Sequence, residues 1–152
     1  MTPATILLAS VMAATSQPAM PATTQPAARD FTVQATREGL IGRRTATGHV
    51  ITPTDIFVAL PDRSALNRTV AVSYNGKTIS ARVLDVGPWN TTDPYWRAEG
   101  VPAAARGVRM GRMARYGPPK NKAGIDLSDG LWDAFGENRA VGVITVTWRF
   151  LP

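Results

Sequence analysis

The sequence predicts an all-β domain, a small barrel or sandwich, on three observations. It has 13 Gly and 12 Pro among 152 residues, which implies frequent turns between short elements. Several segments alternate apolar and polar residues with a period of two, and an Asn-Gly pair separates two of them. Hydrophobic residues make up 44% of the chain, enough for one modest core and one domain.

Phe31 to Thr36 alternates and opens the domain as a strand, ending before Gly39 and Gly42. Ile56 to Leu60 is a continuous apolar run closed by Pro61, the pattern of a strand buried on both faces. Thr69 to Tyr74 and Lys77 to Leu84 form a hairpin, because Asn75-Gly76 accepts positive φ at both central positions of a type I′ turn. Val86 to Ala123 holds Pro88, Pro94, Pro102, Pro118 and Pro119 and no sustained period, so it reads as a long connection of the kind that carries function. Within it, Thr92-Asp93-Pro94 predicts a capped turn. Ser128 predicts the N-cap of a short helix ending at Gly136, with Leu131, Trp132 and Phe135 on one face. Val141 to Phe150 alternates again and predicts a last strand, central to the core.

The folded part is expected at 31–152. Ahead of it, Ile6 to Ala14 is apolar, too short to span a bilayer and followed by small residues, so 1–14 reads as a signal peptide, although no Lys or Arg precedes it. Residues 15–30 are rich in Pro, Thr and Ala and read as a spacer. With no Cys, disulfides, thiolate metal sites and Cys nucleophiles are excluded. The single His and scattered Asp residues show no metal-ligand spacing, and no cofactor is expected. Net charge is +6, and the segment from Arg97 to Lys122 accounts for it, with seven basic residues against Glu99. A localised basic segment attracts polyanions, which for an exported protein are wall polymers or anionic lipid headgroups. Nucleic acid becomes the leading partner only if the chain stays in the cytoplasm, and none is expected otherwise.

Three stretches follow one another as Thr45-Ala46-Thr47-Gly48-His49, as Val83-Leu84-Asp85-Val86-Gly87-Pro88-Trp89, and as Gly124-Ile125-Asp126-Leu127-Ser128 leading to Phe135-Gly136. In order and spacing they resemble the rare lipoprotein A family, whose TASGE-like loop, D-x-GP motif and IDLS motif recur in this sequence and whose fold is related to expansins and barwin. The resemblance runs from about Gly42 to Trp148. It implies a small six-stranded double-psi β-barrel with one short helix and a long Pro-rich loop. It also implies an exported periplasmic or cell-envelope protein acting on peptidoglycan glycan strands, as a lytic transglycosylase or as a non-catalytic glycan-binding module.

Asp85 stands at the end of a strand of buried character, and Gly87-Pro88 turn the chain away, which presents the carboxylate at the rim of a cleft. The residues alone leave it either a general acid or a cap that accepts backbone N–H bonds; the resemblance implies the catalytic acid/base. Asp126 is expected first to satisfy free N–H groups at the helix entrance, and second to face the cleft as a partner carboxylate. Two departures from the family stand out: His49 replaces its Glu, and Val58-Ala59-Leu60-Pro61 replaces a strand with His after an Ala-Ala pair. His49 either reaches Asp85 and shares proton transfer or is simply exposed. Trp89, Tyr95 and Trp96 present flat faces suited to stacking on sugar rings, or to pinning the long loop to the barrel. Asn90 and Asp93, with Thr91 and Thr92, supply hydroxyl-directed hydrogen bonds, and Arg97 leads a basic series suited to carboxylates or phosphates.

Overall fold

The computed structural model describes residues 13–19 and 28–152. The expected signal segment therefore lies outside the described residues except for Ala13 and Ala14, as does the 20–27 part of the spacer. Six strands and one helix form the domain: β1 (Phe31–Arg37), β2 (Phe57–Leu60), β3 (Thr69–Tyr74), β4 (Lys77–Val86), β5 (Ala123–Leu127), α1 (Asp129–Ala134) and β6 (Val143–Phe150). The strands close into a barrel in the order β1-β5-β2-β4-β3-β6, with β6 returning to β1. Two neighbouring pairs, β1 with β5 and β2 with β4, are parallel, and the rest are antiparallel. This is a closed, mixed, six-stranded double-psi barrel. Among the described residues no helix is long and apolar enough to cross a membrane.

Each strand follows from its pattern. Phe31, Val33 and Ala35 point into the core while Thr32, Gln34 and Thr36 do not, which is the two-residue period of a strand covered on one face. β2 is buried at every position, as its unbroken apolar run requires. β3 and β4 pair from Tyr74↔Lys77 to Thr69↔Arg82, and Asn75 and Gly76 both adopt positive φ at the turn. β6 lies between β1 and β3, and its Ile144, Val146 and Trp148 fill the interior.

Ser128 ends β5 and begins α1. Its Oγ accepts from the backbone N–H of Leu131 and of Phe57 and donates to the carbonyl of Asp55, so one buried hydroxyl joins helix, strand and loop. Leu131, Trp132 and Phe135 are buried, and Gly136 takes the left-handed conformation that stops the helix. Gly130 is required by contact: a Cβ there would lie 2.4 Å from the Asp55 carbonyl oxygen.

Three local expectations are corrected. β5 was anticipated only as a motif before the helix, and it is a full strand joined to β1 and β2. The last strand begins at Val143 because Asn138 caps a 3-10 turn over Arg139–Val141. Thr92-Asp93-Pro94 does not cap a turn: Pro94 precedes the 3-10 turn Tyr95–Arg97 without a side-chain bond, and Asp93 instead accepts from the N–H of Ala103 at 2.7 Å. That bond and two further 3-10 turns, Ala103–Arg106 and Gly111–Tyr116, give the long connection its order.

Candidate functional site

The sheet register assembles the site. Thr36 pairs with Asp126, Asp126 with Ala59, and Ala59 with Asp85, so these four residues form one row across β1, β5, β2 and β4. Residues in such a row share a face, and Val58, Leu60, Ile125 and Leu127 on either side of it belong to the core. The row therefore lies on the outer face. Ala59, with only a methyl group, separates the two aspartates.

A third carboxyl joins them. The parallel ladder runs one step past β1, where the N–H of Glu38 donates to the Leu127 carbonyl at 2.9 Å, and strand alternation then sets Glu38 on the face of Thr36. Its Oε2 is shut away from water. Burial first, then the hydrogen bond it shares with Asp85, then the charges of Asp85 and Asp126, push Glu38 up to about 10. Burial also pushes Asp126 up to about 7, helped by the charge of Asp85 and opposed by the hydroxyl of Thr36, which donates to its Oδ1. Glu38 therefore keeps its proton at neutral pH, and Asp126 gains and loses its own near neutrality.

Asp85 is fixed by the backbone. Its Oδ1 accepts from the N–H of Ala46 at 2.8 Å and of Val86 at 2.9 Å, so the Thr45–His49 loop folds onto it through main chain. Gly87 lets the following turn come close: a Cβ there would stand 3.3 Å from Asp126 Oδ2. Beyond it, Trp89 adopts φ 61, a conformation a bulky side chain rarely takes, and its Nε1 donates to Asn121 Oδ1 at 2.8 Å. Trp89, Pro88, Thr36, Arg37 and Asp126 line an open groove of about 340 Å³. Arg37 is held there by Asp129, whose Oδ1 lies 2.6 Å from its Nη1.

Of the anticipated site residues, Asp126 and Trp89 line the groove; Asp85 stands in the same row as Asp126 but does not line the groove, its Oδ1 being taken by the N–H groups of Ala46 and Val86. Asp126 is not the helix cap, a role filled by Ser128; its carboxyl faces the groove. His49 is exposed and does not reach Asp85, because its Nε2 pairs with Asp55 Oδ2 at 2.7 Å. Tyr95 and Trp96, 3% and 9% exposed, are core rather than sugar platforms: they pack edge-on with each other and with Trp148. The Tyr95 hydroxyl donates to the Gly124 carbonyl and accepts from Trp148 Nε1. Asn90 and Asp93, 1% and 5% exposed, are likewise spent on the loop, Asn90 accepting from Met110 N–H and donating to the Val108 carbonyl. Arg97 is exposed but lines a separate hollow with Glu99 and Arg106. Glu38 was missed; continuing the alternation of β1 two residues beyond Thr36 points to it.

Similarity to known proteins bears on the fold more than on the site. The Streptomyces papain inhibitor is similar at 20% identity over 82% of this chain and 96% of that one, with a TM-score of 0.51, and this likeness shows the fold. A Clavibacter michiganensis expansin is similar at 16% identity without ligand and at 12% as a variant in complex with cellohexaose, each with a TM-score of 0.49. The matched region covers 82% of this chain but about half, 51%, of those expansin chains. No curated protein sequence matches. A family model described as a domain of unknown function, DUF8814, matches residues 28–147, which takes in β1 to β5, α1 and the first five residues of β6, and the chain belongs to that family.

Proposed function

We propose that this protein is exported to the cell envelope and engages peptidoglycan glycan strands in the groove between Trp89 and Asp126, as the resemblance to the rare lipoprotein A family implies. The observation that carries the reading is the Asp126 carboxyl lining a groove walled by the Trp89 indole, with Asp85 and Glu38 grouped beside it. A flat ring takes the apolar face of a sugar, and acid and hydroxyl groups beside it take the polar edge. Residues 1–14 then serve as the signal peptide and 15–30 as a spacer.

The same geometry supports lytic transglycosylation. One carboxylic acid protonates the glycosidic oxygen as the bond from the muramic C1 breaks; the resulting carboxylate then accepts the proton of the C6 hydroxyl as a new C1–O6 bond forms, with no water consumed. The resemblance assigns that acid to Asp85. The groove-lining position of Asp126 supports giving it the transferable proton, with Asp85 supplying the negative charge that holds the proton in place. A second reading, a glycan-binding module without chemistry, is favoured by His49, which stands where the family has Glu and is engaged by Asp55 away from the cluster.

Pull-down with purified sacculi tests the proposal. Wild-type protein should sediment with them and Trp89→Ala should bind about tenfold more weakly, the loss expected for one stacked ring. Equal binding by both proteins would remove the groove from the account.

A further inference from the structure

A second concavity lies beside the groove. Arg63, Arg112, Arg115, Tyr116, Thr91 and Val86 line a hollow of about 480 Å³. Among the described residues none of its three arginines has a carboxylate within ion-pair distance, whereas Arg37, Arg106 and Arg149 each have one and Arg139 has two. Three arginines lining one hollow without a counter-charge give it a positive potential, so an anionic ligand is favoured there. Tyr116 is 55% exposed, its hydroxyl accepts from Arg115 Nη2 at 2.6 Å, and Arg115 also lies over its ring.

The hollow is joined to the groove by a stack. The Arg109 guanidinium carbon lies 5.0 Å from the Trp89 ring centre and 5.8 Å from that of Tyr116, so groove wall and hollow wall share one cation. Val86 lines the hollow and is the residue directly after Asp85. Arg109 thus links the Trp89 wall of the groove to the Tyr116 wall of the hollow that Arg112 and Arg115 also line.

Resting on the glycan reading above, we infer that this arginine-lined hollow is a subsite for carboxylates borne by the glycan strand seated in the Trp89 groove. Guanidinium forks match carboxylates in shape and charge, and a neutral sugar chain gains nothing from them. The strand is thereby selected by its acidic substituents while the indole holds its sugar faces.

The test compares chitohexaose, which is neutral, with a soluble glycan strand of alternating N-acetylglucosamine and N-acetylmuramic acid with free lactyl carboxylates. Wild-type protein should prefer the second, and raising salt to about 0.5 M should reduce the preference. The Arg112→Ala/Arg115→Ala variant should lose about tenfold on the carboxylate strand and keep its affinity for chitohexaose. Equal affinity of wild-type protein for the two ligands, or an equal loss on both in the variant, overturns the inference. Binding of poly(glycerol phosphate) with no binding of the carboxylate strand also overturns it, in favour of a phosphate site. Trp89→Ala separates the two proposals: if it lowers affinity for both ligands the groove stands whatever the arginines do, and if it lowers neither the groove falls by itself.

Discussion

Replacing Glu38 by Gln is expected to stabilise the fold above neutral pH and to flatten its pH dependence. In the unfolded chain Glu38 releases its proton near its ordinary value of 4.5, and in the fold it keeps the proton to about 10. Between those values the folded state binds one more proton than the unfolded state, so stability falls as pH rises. Asp126 adds to the fall between its ordinary 3.8 and about 7, with the same sign. Each proton contributes a slope of at most about 1.4 kcal/mol per pH unit, reduced where water reaches the group. Wild-type Tm should therefore decline from pH 5 to 7 through both acids, and from 7 to 9 through Glu38 alone. Glu38→Gln keeps an amide in place of the protonated carboxyl beside Asp85 and removes the second decline. Thermal scans from pH 5 to 9 decide it: a wild-type Tm that is flat or rises from 7 to 9 means that Glu38 is not held neutral.

The second large effect is chemical. Asp126→Asn should leave sacculus binding intact and lower release of anhydro-muropeptides by roughly 10² to 10⁴, the usual weight of a general acid or base. The substitution is close to isosteric, and Asn Oδ1 still accepts from Thr36, so the row across β1, β5 and β2 is kept. Asp85→Asn removes the charge that lifts Asp126 and should reduce release as well. Muropeptide analysis of the supernatant reads both. Release by Asp126→Asn at the wild-type rate would refute its role in proton transfer, and wild-type protein that binds sacculi yet releases nothing would establish the binding module.

The parts of this fold fixed by local chemistry could be read directly. Asn75-Gly76 admits one tight turn, and the hairpin register follows from it. Ser128 has the right side chain one residue before a helical apolar face, and it caps α1. The unbroken apolar run of β2 needs cover on both sides, and all four of its residues are buried. What could not be read depends on which strands become neighbours. Asp126 and Asp85 are 41 residues apart in sequence and meet only because both strands flank Ala59. Glu38 follows a strand in a Gly-bearing segment, and only the β1–β5 pairing turns it toward them.

Tyr95 and Trp96 show the opposite failure. Aromatic residues in a Pro-rich loop near a motif suit a sugar platform and a buried plug equally well. Tyr95 is drawn inward because the Gly124 carbonyl and the Trp148 indole satisfy its hydroxyl, partners 29 and 53 residues away. Trp89 finds its polar partner in Asn121 near the surface and leaves a face to the groove.

That difference allows a residue-resolved test. The chain has four Trp, and the indole N–H groups of Trp89, Trp132 and Trp148 have different partners, in Asn121, Asn138 and Tyr95. In a ¹⁵N-labelled sample titrated with soluble peptidoglycan glycan strands, the Trp89 indole resonance should move in a saturable way while those of Trp96, Trp132 and Trp148 stay in place. A Trp89 signal that does not respond at saturating glycan, or shifts confined to the other indoles, would contradict the groove as the place where sugar is held.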